Sequence, residues 1–304
     1  MRGPEAGIGR WPATTVPATQ QKAPLSVVRS VTGYRPLDMA PRTISPKDFV
    51  RFQTLIYRES GIWLSEAKTA LLTGRLSKRL RFLNLPGFSQ YYDLVASDDE
   101  ELRTMLDAIT TNETHFFREP AHFQFLEQRV FPAWKASAEA QRRSRTIRVW
   151  SAGCATGQEV YSLAMMLVYY FPADQGWTIE ILATDLSRRA LAIAQEGIWD
   201  MAKAGEIPPH FLRTFMLKGI GENQGKIKAA PSIRVARFLR LNLNDAVYPE
   251  IGKFDLIFCR NVLIYFDLES RKRVIDRSRT ASADRLNRAM LCAPLTHLDS
   301  LSLM

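Results

Sequence analysis

A few positions in the middle of the chain have the residue types and spacing to hold a nucleoside. Gly153 and Gly157 bracket a loop that follows the β-prone run Thr146–Trp150 and precedes an apolar helical stretch from Gln158 to Phe171. Glycine lets the backbone turn sharply and approach a ligand closely. Asp185 ends a second β-prone run, Thr178–Ala183, where a carboxylate can accept hydrogen bonds from both hydroxyls of a ribose. The loop reads Gly-x-x-x-Gly, without the Gly-x-Gly-x-x-Gly spacing that brings amides onto a pyrophosphate or the Gly-Lys-Ser/Thr of a phosphate loop. Glu159, at the helix start, would repel a phosphate and suits a cationic group. S-adenosylmethionine (SAM), a nucleoside with a sulfonium and no phosphate, meets both demands. The plain alternative is that the two glycines only serve a tight turn.

These residues need a scaffold that brings strand ends together. From Thr146 onward β-prone runs alternate with helical stretches, and Phe254–Cys259 adds a buried run ending in Arg260-Asn261. That alternation implies βαβ units and a mostly parallel sheet, in which ligands sit outside the carboxyl ends of the strands. Upstream the texture is helical. Ser45-Pro46 opens a helix carrying Phe49, Phe52, Ile56 and Tyr57. A second helix, about 66–83, places Leu72, Leu76, Leu80 and Leu83 on one face and Arg75, Lys78 and Arg79 on another. Two short helices follow, at 88–96 and 99–109. Between Phe211 and Leu241, β-prone pieces (215–217, 225–229 and 233–239) are punctuated by Gly219, Gly221 and Pro231, which predicts a small antiparallel insertion of three strands.

Length and composition are compatible with this layout. The 304 residues suggest about two domains. Six prolines and little periodicity before residue 44 read as a flexible extension. The longest apolar run, Ser162–Phe171, falls well short of the roughly 20 residues a membrane-spanning helix needs, and no signal peptide is evident. Three cysteines and four histidines lack disulfide or metal-ligand spacing, so a cytoplasmic, metal-free protein is expected. The net charge is +10, but residues 1–43 and 271–304 each carry +4 of it. A nucleic-acid footprint wants its cations on a folded face, so no nucleic-acid partner is expected.

Four segments carry a resemblance to one family: Thr110-Thr-Asn-Glu-Thr-His-Phe-Phe-Arg118, Val149-Trp-Ser-Ala-Gly-Cys-Ala-Thr-Gly-Gln-Glu-Val-Tyr-Ser162, Ile181-Leu-Ala-Thr-Asp-Leu-Ser187 and Phe254-Asp-Leu-Ile-Phe-Cys-Arg-Asn-Val-Leu-Ile-Tyr-Phe-Asp267. In content, order and spacing these resemble the chemotaxis receptor methyltransferases of the CheR type, over roughly Ile44 to Val274. The resemblance implies an α/β fold: a doubly wound, Rossmann-like SAM-dependent methyltransferase domain with an N-terminal all-helical domain and a small antiparallel β-subdomain. The divisions would be a 1–43 extension, a 44–110 helical domain, a 111–146 linker helix, a 147–275 methyltransferase domain with its subdomain at about 211–241, and a 276–304 tail.

The implied activity is protein-glutamate O-methylation, with a methyl group passing from SAM to glutamates on the cytoplasmic helices of methyl-accepting chemoreceptors and leaving S-adenosylhomocysteine (SAH). The resemblance places Asn112, Thr114, Arg118, Gly153, Glu159, Asp185, Asn242, Leu243, Asn261 and Val262 at the cofactor. Glu159 would take the methionyl amino group and Asp185 the ribose. Arg118 and Tyr265 would face the acceptor, and Arg75, Lys78 and Arg79 would dock the receptor helix, with the β-subdomain available for a receptor tail peptide. A glutamate with a reference pKa near 4.3 is already ionised at pH 7, so no general base is needed. The bland readings are helix caps for Asn112 or Thr114, a surface ion pair for Arg118, core for Tyr265 and a solvated face for the three cations.

Two departures stand out. The loop reads Gly157-Gln158-Glu159 where the family usually has two acidic residues. After Asp276 the sequence leaves the family pattern, with no glycine after Gly252 and no β-run before Met304. Missing closing strands would leave an unpaired sheet edge. That motivates two alternatives, a SAM-binding receptor adaptor impaired in catalysis and a SAM-dependent methyltransferase of another substrate.

Overall fold

The computed structural model describes residues 8–11, 43–281 and 289–291. The chain begins with a short strand, β1 (Gly9–Trp11), and then enters a helical domain of α1 (Pro46–Ser60), α2 (Thr69–Phe82), α3 (Phe88–Ser97) and α4 (Asp99–Ile109). Local chemistry sets these ends. The Ser45 hydroxyl accepts from the Asp48 N–H at 3.0 Å, with Pro46 in the first turn. Gly61 closes α1 at φ +72°, a conformation that costs glycine little. The Asp98 carboxylate caps α4 through the Glu100 and Glu101 amides. Phe52, Leu55, Ile56, Leu72, Leu76, Leu80, Tyr91 and Met105 meet in one core.

The chain then runs through α5 (Pro120–Phe125) and α6 (Phe131–Glu139) into a doubly wound layer structure. Its elements are β2 (Thr146–Ala152), α7 (Gln158–Tyr170), β3 (Thr178–Asp185), α8 (Arg188–Glu196), β4 (Ile198–Asp200), α9 (Pro209–Phe215), β5 (Met216–Gly219), β6 (Lys226–Ala229), β7 (Ala236–Arg240), β8 (Leu256–Phe258), α10 (Leu268–Thr280) and β9 (Ala289–Leu291). The main sheet has the order β7-β3-β2-β8-β9, and every pairing in it is parallel. β2 is buried almost continuously from Ile147 to Ala152, as a strand covered on both faces must be. The chain moves outward from β2 to β3 and β7 on one side and to β8 and β9 on the other. The crevice at that reversal is where such sheets bind ligands.

The second sheet differs from the sequence expectation. Its order is β1-β5-β6-β4. The expected third strand of the insertion, 233–239, instead supplies β7, which pairs with β3 from Ile181↔Ala236 to Asp185↔Arg240. As an edge strand β7 is only half-buried, and short half-buried runs look alike in either sheet. The insertion's third strand is β4, upstream of 211, a three-residue piece following the Gly197 helix stop.

Two further differences concern the ends. Gly9–Trp11, inside the segment read as a flexible extension, pair in parallel with β5. The tail expected to lack a strand supplies β9, paired with β8 from Leu256↔Ala289 to Phe258↔Leu291. Three residues suffice because β8 offers a ready ladder, whereas a run that short carries no periodicity to read. The rest of 1–43 and of 276–304 that those expectations covered, namely 1–7, 12–42, 282–288 and 292–304, lies outside the described residues.

Candidate active site

A cavity of about 540 Å³ opens at the carboxyl ends of β2, β3 and β8 and extends beneath the helical domain, within the size range of nucleoside-sized ligand sites. At its inner end Asp185 is 7% exposed. Its Oδ2 accepts from the Ala155 amide at 2.8 Å, and its Oδ1 accepts from the Ser187 amide at 2.9 Å and the Asn112 side chain at 3.5 Å. Burial pushes this carboxyl above its ordinary value, against the pull of those backbone donors. A carboxylate has about four acceptor sites; three are used here, so one is free for a ribose hydroxyl, and a second opens where the long 3.5 Å Asn112 contact gives way.

The glycine loop is drawn onto Asp185. The Gly153 and Cys154 amides donate to the Thr184 carbonyl at 2.8 and 2.9 Å. Gly153 sits at φ +85°, and a Cβ there would lie 2.3 Å from Val262 Cγ2. Glycine is therefore required twice at this position, for backbone and for space. In the first turn of α7, Glu159 accepts from Ser151 Oγ at 2.8 Å and faces Arg260 at 3.7 Å. Burial raises the Glu159 carboxyl, with Arg260 and Ser151 opposing.

The backbone around the cleft is held under strain. Phe117 and Glu119 of the segment between the domains, Ala155 of the glycine loop and Asn261 after β8 all have positive φ, between 49° and 57°. Non-glycine residues rarely adopt this conformation, which costs roughly 1–3 kcal/mol each. What compensates is a buried ion network. Arg260, 4% exposed, contacts Glu119 at 3.2 Å and donates to the Arg118 carbonyl. Glu119 also accepts from Asn261 at 3.1 Å and faces His122 at 3.2 Å. Burial alone would raise the Glu119 carboxyl, but Asn261, Arg260 and His122 together hold it below its ordinary value. Arg118 itself donates to the Glu113 carbonyl at 3.2 Å and lines the cavity.

Asn112, Thr114, Arg118, Gly153, Glu159, Asp185, Asn242, Leu243, Asn261, Val262 and Tyr265 all line this one cavity. Asn242 is also committed elsewhere. Its side-chain amide donates to the Glu59 carbonyl at 2.6 Å and to Asp245 at 2.9 Å, clasping the helical domain. Beside it Tyr57 donates to Asp267 at 2.6 Å. Across the site, the Arg188 amide donates to Asp107 at 2.9 Å.

The expected docking face of α2 is partly engaged within its own domain. Arg75 lines the cavity, but its guanidinium donates to the Ile109 and Thr110 carbonyls and, at 3.0 Å, to Thr111 Oγ1. Arg79 pairs with the buried Glu101, donating from Nε at 2.8 Å, and the Tyr91 hydroxyl donates to the same carboxylate. Lys78 is the exposed member of the three. Helical spacing placed them on one face correctly, yet two of them bind their own domain.

Sequence reasoning missed Arg260 and Glu119. The signal for Arg260 was present: a cation directly after an apolar buried strand needs an anion inside the protein. Among the described residues, no group of three or more His, Cys, Asp and Glu is placed to hold a metal ion, and no helix is long and apolar enough to cross a membrane. The donor set fits SAM, with Asp185 for a ribose and the buried Glu159 for a cationic amino group.

Comparison with known proteins adds the following. Residues 47–110 match the family described as "CheR methyltransferase, all-alpha domain", and residues 112–285 match "CheR methyltransferase, SAM binding domain". A probable chemotaxis protein methyltransferase of Rhizobium etli is 40% identical over 227 residues, covering 73% of this chain and 83% of the relative. Chemotaxis protein methyltransferase 2 of Pseudomonas aeruginosa is 36% identical over 232 residues, covering 76% and 80%. The chemotaxis protein methyltransferase of Escherichia coli is 35% identical over 246 residues, covering 79% and 82%.

Proposed function

The chain belongs to the CheR methyltransferase family, and from that premise we propose how its cleft performs the family's reaction. It is a SAM-dependent protein-glutamate O-methyltransferase acting on chemoreceptors in chemotaxis-type signalling. SAM, when bound, supplies an electrophilic methyl group on a sulfonium.

The residues divide the work between holding and orienting. Asp185 holds the ribose hydroxyls, and Asn112, itself hydrogen-bonded to Asp185, closes over them with Thr114. Glu159 holds the methionyl amino group, with Ser151 and Arg260 keeping its carboxylate in place. Leu243 and Val262 wall the base and the transfer cleft, with Asn242 and Asn261 beside them. Gly153 lets the loop pass Val262.

Arg118 and Tyr265 orient the incoming glutamate, already ionised at pH 7. Catalysis then needs alignment and removal of water more than proton transfer. With one guanidinium nitrogen on the Glu113 carbonyl, Arg118 keeps further N–H groups for a carboxylate. The single observation that carries this reading is the buried Asp185 carboxylate, tied at once to the glycine loop and to Asn112 of the interdomain segment.

The receptor contact has a finer part. The outer edge of β5 takes up Gly9–Trp11 as an added strand, and a receptor tail peptide would add to that same edge. What supports this is the pairing itself, since the edge accepts an extended segment from outside the subdomain. A tail would therefore compete with the chain's own N-terminal strand. Because its substrates are the cytoplasmic helices of receptors, the protein works on the cytoplasmic side.

The test is calorimetric titration of SAM and SAH into the purified chain and its Asp185→Ala variant. Micromolar binding that the variant loses while staying folded is expected. Equal binding by both would remove Asp185 from the site.

A further inference from the structure

The mouth of the cleft carries large apolar side chains that the cofactor end does not use. Trp63 is 52% exposed, Leu71 39% and Ile264 61%, and all three line the cavity. They come from both domains: Trp63 follows α1, Leu71 sits on α2, and Ile264 lies in the turn between β8 and α10. A short antiparallel contact draws the first and last together, with Ile62 bridging Phe266 and the Trp63 amide donating to the Tyr265 carbonyl at 2.9 Å. The Trp63 ring is steadied edge-on by Tyr57, 5.6 Å away.

Along α2 and the turn before it, Lys68, Leu71 and Arg75 recur at i, i+3 and i+7 and all line the cavity. This spacing makes one face of about 10 Å, two helical turns long. Arg75 is engaged by the Ile109 and Thr110 carbonyls. Lys68 is exposed and makes no ion pair among the described residues. The mouth is thus an apolar collar with the Lys68 ammonium on its rim.

Exposed apolar side chains gathered on one cavity mark an interaction site, and continuity with the cleft identifies its occupant. Whatever delivers an acceptor carboxylate must pass between these side chains. We propose that Trp63, Leu71 and Ile264 form the acceptor-side docking surface and read an amphipathic receptor helix. Small or apolar residues beside the modified glutamate pack on the collar, and an acidic residue one helical turn away meets Lys68. A two-turn face suits a helix laid alongside, and an exposed aromatic ring is the usual anchor of such contacts. The inference rests on the methyltransferase reading above. It adds an apolar surface to the expected docking face of Arg75, Lys78 and Arg79, two of which also hydrogen-bond within the helical domain.

The experiment is steady-state methylation of a soluble cytoplasmic receptor fragment at saturating SAM, using full-length Trp63→Ala, Trp63→Phe, Ile264→Ala and Lys68→Glu proteins, with SAH titration of each. Trp63→Ala should raise KM for the fragment about tenfold or more, with kcat within about twofold, as loss of uniform binding requires. Trp63→Phe should recover most of that loss. Ile264→Ala and Lys68→Glu should raise KM less, and SAH affinity should stay at the wild-type value in all four. Unchanged KM in Trp63→Ala and Ile264→Ala overturns the docking surface. Loss of SAH binding in Trp63→Ala also overturns it, by placing the ring in the cofactor site. A wild-type chain that binds SAH and methylates no receptor fragment overturns the methyltransferase reading along with it.

Discussion

The two ends of the cleft are built on opposite physical terms. At the inner end Asp185 and Arg260 are 7% and 4% exposed, each held by both backbone and side-chain partners, and the loop is pinned by Gly153 against Val262. At the mouth, Trp63 and Ile264 are more than half exposed, contributed by separate domains and joined by a two-residue bridge. A site for an invariant small molecule is prebuilt and buried, where low dielectric strengthens each polar contact. A site for a protein helix has to stay open and present area. Substitutions should therefore separate into those that abolish cofactor binding and those that change only receptor KM.

The sharpest break of that contrast is Arg260→Leu. It leaves Glu119 and Glu159 without their shared cation, and breaking a buried pair costs about 3–5 kcal/mol. Thermal unfolding should show a large loss of stability, and SAH titration a large loss of affinity. A near-wild-type Tm would mean that the network is dispensable. Next in size, Gly153→Ala forces a Cβ toward Val262 at φ +85° and should cost about 1–3 kcal/mol, read as weakened SAH binding. Gly153→Ala combined with Val262→Ala should recover only the steric part, because the backbone strain stays.

A smaller, pH-dependent effect sharpens the picture. Burial raises the Glu159 carboxyl, and only its ionised form attracts an ammonium. SAM affinity should fall as pH drops from neutral into the range above ordinary carboxylate values, approaching tenfold per pH unit at the limit. It should be regained as pH rises. Glu159→Gln should bind weakly and flatten the profile, and an unflattened profile would assign the titration to another group such as Asp185. The smallest expected change is Tyr57→Phe, which removes the hydrogen bond to Asp267 at the mouth. It should cost about 1 kcal/mol, seen in denaturant midpoint, with SAH affinity untouched.

The inner end was largely legible in the sequence, because its chemistry is local. A glycine loop and a carboxylate each end a β-prone run, and strand ends converge by topology alone. Arg260 was harder, since its partners Glu119 and Glu159 are far from it in sequence and only the tertiary fold brings them near. Arg75, Lys78 and Arg79 were legible only in part. Helical spacing fixes a shared face, but it cannot say that Glu101 pairs with Arg79 or that backbone carbonyls accept hydrogen bonds from Arg75. β7 and β9 were misread because edge strands of five and three residues carry too little pattern to choose a sheet. Trp63 and Ile264 drew no notice because an exposed apolar residue is unremarkable until its neighbours are known.

The central claim is that one cleft joins a buried SAM site to an open receptor-helix site and transfers a methyl group between them. Its most direct test is transfer of radiolabelled methyl from SAM to a receptor cytoplasmic fragment, with wild-type and Asp185→Ala chains compared and the label tested for the base lability of a glutamyl methyl ester. Base-labile label that is present with the wild type and absent with the variant is the predicted result. Label that is stable to base, or that persists undiminished in Asp185→Ala, would contradict it.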